Sequence, residues 1–363
     1  MEAEEGSAMS IHGVIRWGIL GTGKIAHRFA ASLAQAEGCE LVALSGRRGA
    51  KLEAFACAHG IPRARRYADD DGSTSSAYER LAEDPDIDAV YLALPHGMHA
   101  EWACRLLRAG KAVLCEKPAA VSAGEARLIA RTARETGSLF MEAMKTRFAP
   151  ARRRAIEIAR GGELGSVTGL TCVHRIDYGL AASAYLLDPV AGGCLLDLGC
   201  YDVDWACELL PGAVRVDSVD VVWRAAEVPE ERETPMGTEA SAPSRSAYVD
   251  WADDVRLTAG GVPVQLDLSG GAETYQAYAR ISLEHGEIEI PLLHRPVSMV
   301  IRRAGQPEEH LDLPFEVDDF FGEIVHFNEL LRAGALESPI MPLAATVRDA
   351  EVIDAIKAAW PRV

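Results

Sequence analysis

Val14-Ile15-Arg16-Trp17-Gly18-Ile19-Leu20-Gly21-Thr22-Gly23-Lys24-Ile25-Ala26 is the stretch on which the fold turns. A short apolar run meets a G-x-G-x-x-A turn, which opens onto an amphipathic segment, Ile25–Ala36. Strand, glycine turn and helix in that order make the first unit of a dinucleotide-binding fold. Gly21 permits the tight turn, Gly23 lets the backbone approach a pyrophosphate, and Ala26 lets the helix pack close to the strand. A pyrophosphate would lie on the helix N-terminus, against free N–H groups and the positive end of the dipole. Gly21, Thr22, Gly23, Lys24 and Ile25 are therefore candidate cofactor-binding residues. The bland alternative is a glycine-rich turn with no ligand.

Working outward, Glu40–Ser45, Asp88–Leu94, Ala112–Cys115 and Leu139–Ala143 read as further strands. Ala50–Ala58, Ala100–Ala109 and Ala123–Thr136 read as helices between them. Strands alternating with helices give βαβ units and a parallel sheet, so residues 13–150 form a doubly wound domain of Rossmann type. The pattern changes after Pro150. A helix at Ala151–Arg160 ends at Gly161-Gly162. Val167–Tyr178, Val216–Ala225, Ala247–Thr258, Pro263–Ser269, Tyr275–Leu283, Glu287–Pro291 and Val297–Arg303 then read as strands. Little helix separates them, which predicts a large open, mostly antiparallel sheet in an α/β domain over residues 151–341. One helix, Gly193–Leu210, interrupts the run, and Phe315–Ala333 and Pro342–Ala359 close the chain. The last segment, 342–363, is expected to pack back on the first domain. Residues 1–12 read as a loose leader, and about 226–246, rich in Glu, Pro, Ser and Thr, as a mobile loop.

Composition agrees with two soluble domains: 363 residues, 48% hydrophobic and 25% charged. No apolar run reaches the roughly 20 residues a membrane span needs. The acidic start, Met1 to Gly6, lacks the basic region of an export signal, so a cytoplasmic protein is expected. A formal net charge of −17 repels nucleic acid and anionic lipid at long range, although it leaves room for a local basic pocket. The eight cysteines, Cys39, Cys57, Cys104, Cys115, Cys172, Cys194, Cys200 and Cys207, form no Cys-x-x-Cys pair. Buried reduced thiols are expected, with no metal site and no disulfide framework.

An NAD-selecting site wants a carboxylate at the end of the second strand, where it holds the ribose hydroxyls. Here that place reads Leu44-Ser45-Gly46-Arg47-Arg48. A hydroxyl and two guanidinium groups suit a 2′-phosphate, so Ser45, Arg47 and Arg48 favour NADP(H) over NAD(H). Solvated loop arginines are the alternative.

Three further motifs follow in order. Ala93-Leu94-Pro95-His96-Gly97-Met98-His99 closes the Asp88–Leu94 strand, and Ala109-Gly110-Lys111-Ala112-Val113-Leu114-Cys115-Glu116-Lys117-Pro118 comes one helix later. Gly192-Gly193-Cys194-Leu195-Leu196-Asp197-Leu198-Gly199-Cys200-Tyr201 lies in the second half. With the glycine fingerprint, the chain resembles the Gfo/Idh/MocA oxidoreductases, whose mark is Glu-Lys-Pro at the end of the fourth strand. Met141–Pro150 is similar to the segment entering the second domain in one branch. Tyr201 stands where the family usually has His. Tyr in that place resembles the branch of glucose–fructose oxidoreductase, dimeric dihydrodiol dehydrogenase, NADP-linked xylose dehydrogenase and sugar-nucleotide 3-ketoreductases. The resemblance runs from about Val14 to Trp360, and the 226–246 loop has no counterpart in it.

The resemblance implies hydride transfer between nicotinamide C4 and a secondary alcohol or ketone of a sugar, sugar nucleotide, aminosugar or cyclitol. A proton must then move on the reacting oxygen. Lys117 is placed to hydrogen-bond that oxygen, and Tyr201 to give or take the proton. Asp197 orients a substrate hydroxyl, pairs with Lys117, or caps a helix; at i, i+4 it would share a helix face with Tyr201. Leu94 and His99 are implied on the nicotinamide-ribose side, with Glu116 supporting the cofactor, and Pro118 after a cis peptide. His96 is either a cofactor-side residue or a plain loop residue. Lys145, Arg147 and Tyr178 are candidates for the substrate side. Lys145 replaces an aromatic residue common in the branch, which points to an anionic substrate. His174, Arg175, Asp177 and Tyr178 share the first strand of the second domain and face either the pocket or solvent. The expected partners are a small molecule and further copies of the chain, in a homodimer or homotetramer paired through the C-terminal sheet. The rivals are a dehydrogenase of a non-sugar substrate such as a dihydrodiol, an enzyme cycling a tightly held cofactor between two sugars, and a non-catalytic dinucleotide-sensing regulator.

Overall fold

In the computed structural model, which describes residues 13–179, 184–226 and 248–361, the opening run forms β1 (Ile15–Leu20) and the glycine turn feeds α1 (Lys24–Leu33). There follow β2 (Cys39–Gly46), α2 (Gly49–His59), β3 (Arg66–Ala68), α3 (Ala77–Glu83), β4 (Ala89–Leu92) and α4 (His99–Arg108). β5 (Ala112–Glu116), α5 (Ala123–Thr136) and β6 (Phe140–Ala143) complete the set. The six strands lie in the order β3-β2-β1-β4-β5-β6, all paired in parallel. Strand order reverses between β1 and β4, and a doubly wound sheet binds ligands beyond the carboxyl ends at such a point. β4 and β5 are buried throughout, as strands covered on both faces must be.

The Asp88–Leu94 strand is thus the fourth of this sheet, not the third. β3 spans only three residues, too few for a periodicity signal. α3 did carry one: Ser76 and Glu79 form a reciprocal capping box at its start.

The second sheet follows α6 (Pro150–Gly161) and begins with β7 (Val167–Asp177). α7 (Cys194–Asp197) and α8 (Gly199–Leu209) precede β8 (Val214–Ala225), β9 (Tyr248–Ala259), β10 (Val262–Ser269) and β11 (Gly271–Leu283). β12 (Gly286–Ile290), β13 (Ser298–Arg303) and β14 (Glu309–Asp312) finish it. The eight strands are ordered β14-β13-β12-β11-β7-β10-β9-β8. β7 runs parallel to β10, while the β11–β7, β11–β12, β12–β13, β9–β10 and β8–β9 pairs are antiparallel. β9 and β10 are joined by Gly260-Gly261 alone, with φ of 55° and 85°, the two positive values a tight hairpin turn demands.

The expected single helix at Gly193–Leu210 is two, broken at Leu198 (φ −100°, ψ −50°). β11 begins earlier than Tyr275, its register with β7 shifting between Gly271 and Gln276. The Phe315–Ala333 helix starts only at Phe321, as α9 (Phe321–Arg332), and the last helix is α10 (Leu343–Ala358). The leader and all but Ala226 of the 226–246 loop lie outside the described residues.

The chain divides into two compact units. The first runs to Arg154 and takes in Arg295–Val297 and Asp312–Ala350; the second holds Ala155–His294, Ser298–Leu311 and the chain from Glu351. In the first, the Trp17 ring packs between Phe29 (5.5 Å) and Phe327 (5.2 Å), and its indole N–H donates to Asn328 Oδ1 at 3.0 Å. α9 is thereby fixed to β1. Leu343 and Ala350 of α10 join the apolar cluster of α4 and α5. Six cysteines are buried, but Cys39 is half-buried and Cys57, expected inside, is exposed on α2.

Gly21 has φ +111°, and a Cβ there would stand 2.3 Å from the Ala93 carbonyl oxygen. Gly21→Ala is expected to destabilise the fold by about 2 kcal/mol or more. Thermal denaturation tests this, and an unchanged Tm would show that the turn relaxes freely.

Candidate functional site

Gly23 differs from Gly21 in an instructive way. Its backbone is ordinary (φ −75°, ψ 173°), so the fold alone does not require glycine there. A Cβ would meet nothing within 4 Å. Gly23 caps α1 with no side-chain hydrogen bond to the first-turn amides. Open space over uncapped N–H groups fits the pyrophosphate of a dinucleotide. Lys24 is exposed beside it, with Thr22 and Ile25 half-buried.

At the end of β2, Arg47 and Arg48 are exposed. Arg47 lies beside Tyr78, whose hydroxyl burial pushes up and the guanidinium pulls back down. The Gly49 N–H, at the start of α2, is taken by both carboxylate oxygens of Asp70 at 3.1 Å. That helix end already has its anion, which leaves a phosphate to the arginine side chains. Ser45 is fully buried, and its hydroxyl finds no hydrogen-bond partner among the described residues.

The loops after β4 and β5 are tied by one imidazole. His99, fully buried, has Nε2 2.7 Å from Leu94 O and Nδ1 2.8 Å from Pro118 O. Burial drives the ring towards its neutral form, which donates to only one of these carbonyls; an imidazolium would serve both. His99 therefore holds backbone and presents no edge to open space, and His96 is buried beside it. The Lys117–Pro118 peptide is cis, as the resemblance implies. Glu116 accepts the Tyr91 hydroxyl on Oε1 and the Lys117 N–H on Oε2 at 3.1 Å. Tyr91 in turn stacks on Phe29 at 3.7 Å. Lys117, half-buried, thus leaves the end of β5 from a backbone pinned on both sides.

Two of the substrate-side candidates turn inward. Lys145 Nζ bonds Asp319 Oδ2 at 2.6 Å, and Arg147 donates to the Ile340 carbonyl at 2.8 Å, with Asp349 at 4.0 Å. Both side chains are buried.

In the second unit the Tyr178 hydroxyl donates to Asp197 Oδ2 at 2.5 Å. Asp197 ends α7, so it is no N-cap, and Leu198 interrupts the single helix on which it was expected to share a face with Tyr201. Tyr201 is buried in the first turn of α8, its ring 6.1 Å from His174 and 6.3 Å from His294. The two imidazoles stack at 4.9 Å. His174 Nδ1 lies 3.5 Å from a carboxylate oxygen of Asp202, which is fully buried; burial pushes that acid up and His174 pulls it back. Strand alternation on β7 settles its neighbours: His174 points inward, while Arg175 and Asp177 are exposed and Arg175 pairs with Asp267. Asp202 and His294 were not singled out by the sequence reading. An Asp directly after Tyr201 in an apolar helix was the available signal.

α7 is held by β9. Asp250 Oδ2 accepts the Leu195 N–H at 2.6 Å, and its Oδ1 fills the place of a Gly193 Cβ. Asp253, buried against it, is pushed up to about 9, by burial first and by the Asp250 charge second. Its other neighbour is the Trp360 indole N–H, 3.2 Å from Oδ1. Among the described residues no group of three or more His, Cys, Asp or Glu could hold a metal ion, and no helix could cross a membrane.

Comparison with known proteins agrees with this geometry. The oxidoreductase family GFO/IDH/MocA, with an NAD-binding Rossmann fold, matches residues 15–144, and its C-terminal domain matches residues 152–289. The chain is 30% identical over 350 residues to mouse trans-1,2-dihydrobenzene-1,2-diol dehydrogenase, covering 94% of this chain and 95% of that one. It is 36% identical over 191 residues to an NADP(+) D-xylose 1-dehydrogenase of Haloferax volcanii, covering 52% and 55%. Among solved structures, a 3-ketoreductase of Actinomadura kijaniata in complex with TDP-benzene and NADP superposes with a TM-score of 0.76 at 26% identity, covering 95% of this chain and 97% of that one.

The Asp250–Asp253 pair gives a pH dependence of stability. Asp253 ordinarily titrates at 3.8 and is raised to about 9 in the fold, so the folded chain holds the extra proton. Its contribution is full below about pH 4 and is lost as pH rises through about 9. Asp253→Asn keeps the donor to Asp250 and the acceptor for Trp360 without the titration. Its Tm is expected to exceed the wild type's increasingly towards pH 9, because between the two values each pH unit costs the wild type on the order of 1 kcal/mol. Parallel Tm curves for the two proteins between pH 5 and 9 would refute the shared proton.

Proposed function

The chain belongs to the Gfo/Idh/MocA oxidoreductase family, and on that premise we propose that it is an NADP(H)-dependent oxidoreductase of a secondary alcohol or ketone on a sugar-like substrate. The observation that carries the reading is the Glu116-Lys117-Pro118 segment, pinned by Tyr91 and His99 in the same unit as the uncapped, Cβ-free start of α1. Bound NADP(H) supplies or accepts the hydride. The backbone at Gly21 and Gly23 holds the pyrophosphate, and Arg47 and Arg48 the 2′-phosphate. Leu94 and Glu116 support the nicotinamide half.

Lys117 Nζ hydrogen-bonds the reacting oxygen and stabilises negative charge there. The Tyr201 hydroxyl gives the proton in reduction and takes it in oxidation. Asp197, fixed by Tyr178, orients a substrate hydroxyl. His174 and His294 beside Tyr201 are polar rings, which favours a hydroxyl-rich ligand. The alternative is a dihydrodiol, the substrate class named for the mouse relative. The same reading makes the protein a cytoplasmic homodimer or homotetramer paired through the eight-stranded sheet.

Fluorescence titration of the purified protein with NADPH and NADH tests the cofactor. At least a tenfold preference for NADPH, about 1.4 kcal/mol, is expected, and Arg47→Ala with Arg48→Ala should erase it. Equal affinity in the wild type would leave those arginines solvated. Lys117→Met and Tyr201→Phe should keep NADPH binding and lose a hundredfold or more in turnover of D-xylose or trans-dihydrobenzenediol with NADP(+). Wild-type rates in either variant would sink its assigned role.

A further inference from the structure

Asp319, just before α9, is 5% exposed and carries three cations. Lys145 Nζ lies 2.6 Å from Oδ2, Arg295 Nε 3.2 Å from the same oxygen, and the Arg28 guanidinium donates to Oδ1. Burial alone would raise this acid, but Lys145, Arg28 and Arg295 outweigh it and hold the carboxyl below its usual range. The nearby carboxyl of Glu323 offers no compensating charge: burial, then Glu116, push it well up, and neither oxygen has a hydrogen-bond partner among the described residues. Glu116 also faces this cluster, its carboxylate held by two neutral donors, the Tyr91 hydroxyl and the Lys117 N–H.

The three cations are not equivalent. Lys145 is 7% exposed in its side chain and is spent on Asp319 inside the fold. It cannot itself be the anion receptor that its replacement of an aromatic residue suggested. Arg28 and Arg295 are 36% and 48% exposed, each fixed at one edge by a different oxygen of the same carboxylate. Arg28 also lies over the Phe320 ring at 4.7 Å, and Lys145 Nζ is 4.8 Å from the same ring centre. Guanidinium groups held this way keep their remaining N–H donors aimed outward at little further entropic cost. Two half-exposed guanidinium groups are thus fixed side by side on one buried carboxylate.

We propose that Arg28 and Arg295, anchored on Asp319, form a binding site for an oxyanion, a phosphate or carboxylate group of a small-molecule ligand. The oxyanion accepts from both guanidinium groups, and the buried Lys145–Asp319 pair serves as the fixed base that keeps them in register. The site does not depend on which carbon is oxidised, nor on hydride transfer as such.

Isothermal titration calorimetry with inorganic phosphate and, separately, D-glucuronate tests this on protein saturated with NADPH, where the cofactor's own phosphates are already placed. Wild-type protein is expected to bind at least one of the two in the millimolar range, with Arg28→Gln and Arg295→Gln each weakening it tenfold or more. Lys145 still neutralises Asp319 in each variant, so both should stay folded, with retained NADPH binding and a cooperative thermal transition as the check. Phosphate binding seen only without NADPH, together with weaker NADPH binding in both variants, would assign the arginines to the cofactor and overturn a separate ligand site. Equal anion affinity in wild type and variants, or none, would overturn the proposal outright. Failure of NADPH to bind would count instead against the cofactor reading, which the same titration checks before any anion is added.

Discussion

Everything at the cofactor end of the first unit depends on one close approach. The carbonyl of Ala93, at the end of β4, occupies the space where a side chain on Gly21 would begin. That contact sets the ends of β1 and β4 together at the point where strand order reverses. The chain leaving β1 can then turn sharply into α1 with its first amides open, and the chain leaving β4 runs through Leu94 to His99. His99 ties that loop to Pro118, so the placement of Lys117 is inherited from a glycine almost a hundred residues earlier.

Both units solve the problem of buried charge by sharing it. In the first, one ionised carboxylate serves three cations while a neighbouring acid is driven neutral. In the second, two carboxyls sit against each other and burial keeps a proton between them. Neither arrangement is a good way to gain stability, since desolvation consumes most of what Coulomb attraction returns. What such pairs secure is geometry: α7 cannot shift without breaking the Asp250 bond to Leu195, and Arg28 cannot swing without leaving Asp319.

The sequence showed the strand–turn–helix logic of the first unit because parallel strands covered on both faces are continuous apolar runs, and Gly21 and Gly23 mark the turn. It also showed the antiparallel second sheet, through strands following one another with only turns between. It missed β3, which is too short to show a period, and the break at Leu198, since nothing in Asp197-Leu198-Gly199 distinguishes a kink from a helix with a glycine in it. The residues named for chemistry were chosen by motif, and motif says nothing about what a side chain touches. Arg147 and Lys145 therefore looked like ligand contacts until Ile340 and Asp319, from far along the chain, were seen to claim them. Asp319 and Glu323 could not be picked out beforehand, because Arg28, Lys145 and Glu116, which give them their meaning, lie more than a hundred residues away.

Trp360 meets Trp223 edge-on at 5.2 Å while its indole N–H rests on Asp253. Indole emission responds to the charge of a group in direct contact, and two indoles at this separation couple in the near-ultraviolet. The charge of Asp253 therefore acts directly on one ring of an indole pair whose coupling contributes to the near-ultraviolet ellipticity.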